Sequence, residues 1–250
     1  MIAQASEADA GCGVLEIGPG IGALSSELCR IAGKVVAVEL DSALPAILSE
    51  TMADFGNFSL VSADVLKLDL AALVRERFDG LRPIVCANLP YNITTPVLTA
   101  IVAAKCFESA TVLIQREVAQ RICAGPGTPE YGAFSVFMQY HAQNALCFDV
   151  GPENFIPRPK VTSTVLRSVM RCEPPVSVAD EAFFFRVVYS AFALRRKTLV
   201  NSLMTSFGAL GKDTLAGIVA SCGLEANVRG ERLGLEEFAL LAAALREAEG

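Results

Sequence analysis

Asn88, Leu89, Pro90 and Tyr91 stand in a row at the end of an apolar run, in "VCANLPYNITTP" (85–96). A buried strand needs none of these residue types at its end. An amide oxygen beside a backbone carbonyl can accept both N–H bonds of a planar exocyclic amine, and Asn88 with the carbonyl of Leu89 is the natural pair. Such a hold favours a pyramidal nitrogen with its lone pair turned out of the ring, which is orientation plus electrostatic stabilisation of a poor nucleophile. Pro90 fixes the backbone that aims the carbonyls, and Tyr91 offers a ring face for stacking. An isolated Asn-x-Pro-Tyr string is more often a turn than a site, so its meaning depends on what else reaches the same place.

Upstream, "LEIGPGIGALS" (15–25) lies where an apolar strand pattern meets a helical one. Glycines at 18, 20 and 22 allow a tight turn with backbone close to a ligand, and a helix start offers unpaired N–H groups. Ala23 can take the last small position of the dinucleotide fingerprint, and Glu39, about 20 residues on, could bond ribose hydroxyls. The loop alone therefore indicates a nucleotide-like cofactor, and NAD fits it. Asp64, in "SADVLKLD", narrows the choice, because a carboxylate at the end of a third strand can accept from an adenine amine. Acids ending strands two and three, after E-x-G-x-G-x-G, form the usual layout of an S-adenosylmethionine (SAM) pocket. The expected cofactor contacts are Glu16, Gly18, Gly20, Gly22, Glu39, Leu40, Asp64, Val65 and Asn88. In that company, Asn-Leu-Pro-Tyr at the fourth strand's end matches the motif of amino-methyltransferases acting on nucleobases.

Taking a base out of its stack costs a few kcal/mol, and one aromatic ring returns on the order of 1–3 kcal/mol. A second ring is therefore expected. Phe155 is the candidate, in a proline-stiffened loop within "GPENFIPRPKVTSTVLRS" (151–168), beside Arg158 and Lys160; its alternative is a place in the core. A net charge of −6 and a pI near 5.0 argue against a nucleic-acid partner. Residues 155–201, however, hold eight basic and three acidic side chains. Screening confines each charge to roughly 8 Å, so a locally basic stretch can still grip phosphates.

These residues must be positioned by a scaffold, and the chain reads as one. Strand candidates at 13–17, 34–40, 58–63, 82–88 and 109–115 alternate with amphipathic helical patterns, the signature of a mostly parallel sheet covered on both faces. Runs at 145–150 and 163–170 have no full helix between them and suit an antiparallel pair at the sheet edge. "CEPPVSVAD" breaks the pattern, and "EAFFFRVVYSAFALRRKTLVNSLM" and the rest read as helical. The expected organisation is an α/β domain over 1–172, a linker over 173–179 and a small all-helical domain over 180–250. No apolar run approaches the ~18 residues of a membrane span, and the start lacks the form of a signal peptide. The eight cysteines never form a Cys-x-x-Cys pair, which points to reduced thiols in a cytoplasmic protein and to no metal site. His141, the one histidine, is expected on a helix surface or in the core.

Taken together, "EIGPGIG", "VELD", "SADVLKLD", "NLPYNITTPVL", "LIQREVAQRICAGPGTPEYGAFSV", "FIPRPKVTSTV" and "AFALRRKTLVNSL" resemble the ribosomal RNA adenine N6,N6-dimethyltransferases of the kasugamycin-sensitivity methylase family. The resemblance covers nearly the whole chain. It implies a Rossmann-like SAM-dependent methyltransferase whose seven-stranded sheet carries an antiparallel strand at its edge. The implied substrate is a pair of adjacent adenines in the 3′-terminal hairpin loop of small-subunit (16S) rRNA, dimethylated on a partly assembled small subunit during ribosome biogenesis. Asn88, Leu89, Pro90, Tyr91 and Phe155 would frame the base. Arg116, Arg121, Arg158, Lys160 and a basic helix carrying Arg195, Arg196 and Lys197 would contact rRNA, with the protein acting as a monomer. Family members also carry a helix, preceded by a Gln-Asn-Phe-Leu segment, ahead of the first strand. This chain starts about a dozen residues before "VLEIGPG" with neither, so weakened SAM affinity is expected. The alternatives are the 23S rRNA adenine methylase of the macrolide-resistance type and a non-catalytic RNA-binding assembly factor. A DNA adenine methylase fits less well, since nothing resembles a separate sequence-reading domain.

Overall fold

The computed structural model describes residues 1–155 and 158–249. Its elements run α1 (Ile2–Ala5), β1 (Cys12–Ile17), α2 (Ala23–Cys29), β2 (Lys34–Glu39), α3 (Leu44–Thr51), β3 (Phe58–Ser62), α4 (Leu70–Arg77), β4 (Arg82–Asn88), α5 (Thr94–Ala104), β5 (Ser109–Gln115), α6 (Arg116–Cys123), α7 (Ala133–His141), β6 (Ala142–Val150) and β7 (Ser163–Met170). Four more helices follow: α8 (Glu181–Phe192), α9 (Leu199–Phe207), α10 (Lys212–Ser221) and α11 (Leu235–Glu249).

Among the described residues the strands form one seven-stranded sheet in the order β3-β2-β1-β4-β5-β7-β6. The pairs β1–β2, β1–β4, β2–β3 and β4–β5 are parallel, and β7 runs antiparallel to β5 with Ser163 opposite Gln115. Thr164 donates to Asp149 at 2.6 Å and Ser168 to Asn144 at 2.7 Å. Numbers rising on β7 meet numbers falling on β6, so that edge pair is antiparallel as well. All six residues of β1 are buried, as are the last five of β2, which is what a parallel strand covered on both faces requires. Behind them Val14, Leu28, Val35, Leu48, Ile84 and Cys86 form one packed cluster.

The chain steps outward from β1 to β3 and then returns to the far side of β1 as β4. At such a reversal the loops leaving β1 and β4 part in opposite directions and open a crevice at the carboxyl ends of the strands. Gly18 follows β1, Glu39 ends β2, Asp64 follows β3 and Asn88 ends β4. One topological feature therefore collects residues from four separate places in the sequence.

Three sequence expectations change. Residue contacts divide the chain into Met1–Ala119 with Gln143–Met170 and Gln120–Ala142 with Arg171–Gly250, where the sequence suggested one break at 173–179. Residues 120–142 leave the first unit because their apolar side chains belong to another core: Tyr131, Val136 and Tyr140 pack with Phe184, Leu203 and Phe238, and the Tyr131 hydroxyl donates to the Leu233 carbonyl at 2.9 Å. Second, the helical pattern after 180 is two helices. Thr198 is extended (φ −64°, ψ 157°) ahead of α9, the Leu199 N–H donates to Val228 O at 2.7 Å, and the Arg195 guanidinium donates to the Pro129 carbonyl. Arg195, Arg196 and Lys197 consequently occupy an exposed turn rather than a basic helix. Third, a one-turn helix, α1, does stand ahead of β1 and packs against α2 and β5. Of the "FIPRPK" motif, Ile156 and Pro157 lie outside the described residues, as does Gly250 at the end of the expected helical domain.

Candidate active site

The glycine loop leaves β1 through left-handed backbone. Gly18 has φ +69° and Gly22 φ +92°, conformations that cost a side-chain-bearing residue about 1–2 kcal/mol. The Gly18 N–H donates to Val38 O at 3.0 Å, which ties the loop to β2. Gly22 starts α2, and a Cβ there would stand 2.9 Å from Met52 Sδ. Gly22 lines none of the cavities described below, so its part is to let the loop turn and pack, while Gly18 and Gly20 face the ligand space.

Three cavities meet along the crevice. The first, about 400 Å³, is lined by Gly18, Glu39, Leu40, Asp64, Val65 and Ile93 among others. Glu39 is buried, and its Oε1 accepts from the Asp41 N–H at 2.8 Å. Asp64 accepts from the Leu66 N–H at 3.1 Å and lies 3.6 Å from Lys67 Nζ. Backbone bonds thus hold both carboxylates in place and leave each with acceptor capacity for hydroxyl or amine protons. Leu40 (70% exposed) and Val65 supply apolar surface between them, as a flat heterocycle needs.

The second cavity, about 440 Å³, is lined by Glu16, Gly18, Gly20, Asn88 and Phe155, with Met1, Ile2 and Ala3 on one side and Phe148 and Val150 on another. Glu16 is 1% exposed and accepts a 2.6 Å hydrogen bond from Ser25 Oγ. Burial pushes its carboxyl up to about 7, against the smaller opposing effect of the Ser25 bond. A buried acid poised at that value suits a cationic ammonium or sulfonium partner.

The third, about 280 Å³, is lined by Asn88, Leu89, Pro90, Tyr91, Phe155 and Pro159. The Leu89 side chain is buried and its N–H donates to Leu113 O at 3.1 Å. The Pro90 carbonyl accepts from the Ile93 N–H at 3.2 Å and from Thr94 Oγ1 at 3.3 Å. Among the described residues no donor reaches the Leu89 carbonyl or the exposed Asn88 amide. Among the described residues the two acceptors expected from the sequence are therefore open to a ligand. The Tyr91 hydroxyl lies 2.7 Å from Ser163 Oγ.

Gly18 borders the first and second cavities, and Asn88 and Phe155 border the second and third. A nucleoside with an amino-acid tail fits the first two, and a flat base beside its reactive centre fits the third. The basic candidates are placed separately. In the first unit Arg116 lies 3.5 Å from Asp149, while Arg158 and Lys160 are exposed on either side of Pro159. In the second unit Arg121 is exposed, Arg196 and Lys197 project from the turn, and Arg195 lies 3.9 Å from Glu231. His141 ends α7, mostly buried against the Phe137, Tyr140 and Phe185 rings and 3.9 Å from Glu181.

Sequence reasoning missed the wall made by Met1, Ile2 and Ala3, which carries no chemical signature. It also missed Phe148 and Val150; their alternation with exposed Cys147 and Asp149 along β6 was the available signal. Among the described residues no group of three or more His, Cys, Asp or Glu is placed to hold a metal ion.

Residues 1–230 match the family described as Ribosomal RNA adenine dimethylase. The chain is 44% identical over 246 residues to the Ribosomal RNA small subunit methyltransferase A of Lactococcus lactis subsp. lactis (strain IL1403), covering 98% of this chain and 84% of that protein. It is 44% identical over 241 residues to the protein of the same name from Alkaliphilus oremlandii (strain OhILAs), covering 96% and 83%. In fold it is similar to a dimethyladenosine transferase from Plasmodium falciparum, with a TM-score of 0.81 at 19% identity over 99% of this chain and 94% of that one. The 23S rRNA methyltransferase ErmE gives 0.71 at 24% identity over 98% and 95%. At these identities the structural likeness is one of fold.

Proposed function

The chain belongs to the ribosomal RNA adenine dimethylase family, and from that premise we propose that it dimethylates the N6 amines of two adjacent adenines in the 3′-terminal hairpin loop of small-subunit rRNA, with SAM as methyl donor, during small-subunit assembly. Membership makes the chain an rRNA adenine dimethyltransferase. The small subunit as substrate is supported by relatives 44% identical over nearly all of the chain and named for it. Among the described residues no helix is long and apolar enough to cross a membrane. This reading takes the protein as a cytoplasmic monomer whose second unit is a separate helical domain carrying rRNA contacts at Arg121 and 195–197, beside those at Arg116, Arg158 and Lys160 on the first.

The observation that carries the mechanism is the pair of acceptors at the end of β4 that no donor among the described residues reaches. Glu39 and Asp64 would hold the ribose hydroxyls and adenine amine of SAM, Leu40 and Val65 its ring, and Glu16 the cationic end. SAM, when bound, supplies an electrophilic methyl group on its sulfonium. The Asn88 amide oxygen and the Leu89 carbonyl accept the two N–H bonds of the target amine, hold the nitrogen pyramidal and aim its lone pair across the border that Asn88 shares between the second and third cavities. Tyr91 and Phe155 offer ring faces to the extruded base. The ammonium first formed is acidic enough to lose its proton to water, so no strong general base is required.

The test is transfer of labelled methyl from SAM to small subunits lacking the modification, with large-subunit rRNA as the competing acceptor. Label in adenines of the small-subunit hairpin supports the reading; label in large-subunit rRNA would move the chain to the macrolide-resistance type.

A further inference from the structure

The bond between the Tyr91 hydroxyl and Ser163 Oγ, 2.7 Å long, joins two parts of the base slot that the sequence keeps 72 residues apart. Tyr91 stands half-buried in the loop after β4 and lines the slot. Ser163 is the first residue of β7 and is 0% exposed, seated opposite Gln115 in the ladder with β5. Phe155 and Pro159, which also line the slot, stand in the segment that leads into β7. The start of β7 therefore both anchors one aromatic wall through Ser163 and receives the chain that bears the other.

We propose that Ser163 is a positioning residue of the transfer reaction: by holding the Tyr91 hydroxyl it fixes the tilt of that ring and so the orientation of the base between Tyr91 and Phe155. The inference rests on the reading of the third cavity as the base slot. Ser163 Oγ is shut off from water and has the Tyr91 hydroxyl as its hydrogen-bond partner, so the ring is held against rotation rather than merely touched. A misplacement of about 1 Å at the reacting atoms can cost on the order of a hundredfold in rate; a wall free to tilt by a fraction of that costs less but measurably. Ser163 lines none of the three cavities and acts only through Tyr91.

The experiment compares the wild-type chain with Ser163→Ala, Tyr91→Phe and the double variant, measuring methyl transfer to unmodified small subunits and, separately, SAM affinity by calorimetry. Each single change is expected to lower kcat/KM for the subunit by roughly three- to tenfold, mainly through kcat, with SAM affinity unchanged. The double variant should be no worse than the weaker single one, because both remove one bond. Losses that multiply, or wild-type kcat/KM in Ser163→Ala, would overturn the inference while leaving the methyltransferase reading intact. A wild-type chain that methylates no rRNA adenine would overturn that reading and this inference with it. Should Ser163→Ala fail to fold, Tyr91→Phe alone decides: the same loss supports the bond's role, and unchanged kcat/KM overturns it.

Discussion

Glu16 and Ser25 share a 2.6 Å hydrogen bond beneath the glycine loop, with both side chains shut off from solvent. One hydroxyl donor does not replace the water a carboxylate loses on burial, and the acid is pushed from its ordinary 4.5 up to about 7. Below about pH 4.5 Glu16 is protonated in both the folded and the unfolded chain and its stabilising proton is fully in place. Between there and about 7 only the folded chain holds the proton, so stability falls as pH rises through this window. The shift corresponds to a loss of ~3 kcal/mol once both states are ionised. Glu16→Gln should abolish that slope and be the more stable protein at pH 8. Urea unfolding at pH 5 and pH 8 checks it; an equal slope in the variant would show that Glu16 is already ionised when folded.

Under the proposed function the same residue should make cofactor binding pH-dependent. A cationic group brought to the second cavity favours the ionised carboxylate, so binding releases a proton wherever free Glu16 is protonated. SAM affinity should be level above about pH 7 and weaken by up to about tenfold per unit below it. Calorimetry in buffers of different ionisation enthalpy would count the protons, and Glu16→Gln should bind with no such dependence.

Two glycines of the loop should fail by different amounts. Gly20 (φ +59°) has nothing within 4 Å of an added Cβ, while at Gly22 (φ +92°) the added carbon meets Met52 Sδ at 2.9 Å and Thr51 Oγ1 at 3.3 Å. Both alanine variants bear the left-handed strain, and Gly22→Ala bears the overlap as well. Its loss of stability should exceed that of Gly20→Ala by about 1 kcal/mol, read from denaturant midpoints at equal slope.

Thr111, in the middle of β5, is 0% exposed and its hydroxyl has no partner among the described residues. Thr111→Val keeps the shape and removes an unpaired polar atom, so it should stabilise the chain by about 1 kcal/mol. A denaturation midpoint below that of the wild type would show that the hydroxyl is satisfied.

The strands, their order of appearance and the residues at their carboxyl ends were legible because parallel strands are apolar on both faces and the acids, glycines and Asn88 that follow them are chemically distinct. The turn between α8 and α9 was not, since "FALRRKT" holds neither glycine nor proline; contacts with Pro129 and Val228, far away in sequence, stop the helix. Nor was the place of residues 120–142, whose apolar spacing does not say which core they enter. Ser163 was legible only as a small residue in a strand, because its role depends on meeting Tyr91 across 72 positions.

The proposed hold of Asn88 on the target amine is tested by mass spectrometry of rRNA adenines after reaction with SAM, for the wild type and Asn88→Ala, with SAM affinity measured beside it. The expected result is N6,N6-dimethyladenine in small-subunit rRNA for the wild type, and transfer reduced by about 10²–10³ in Asn88→Ala with SAM still bound. Undiminished dimethylation by Asn88→Ala would contradict it.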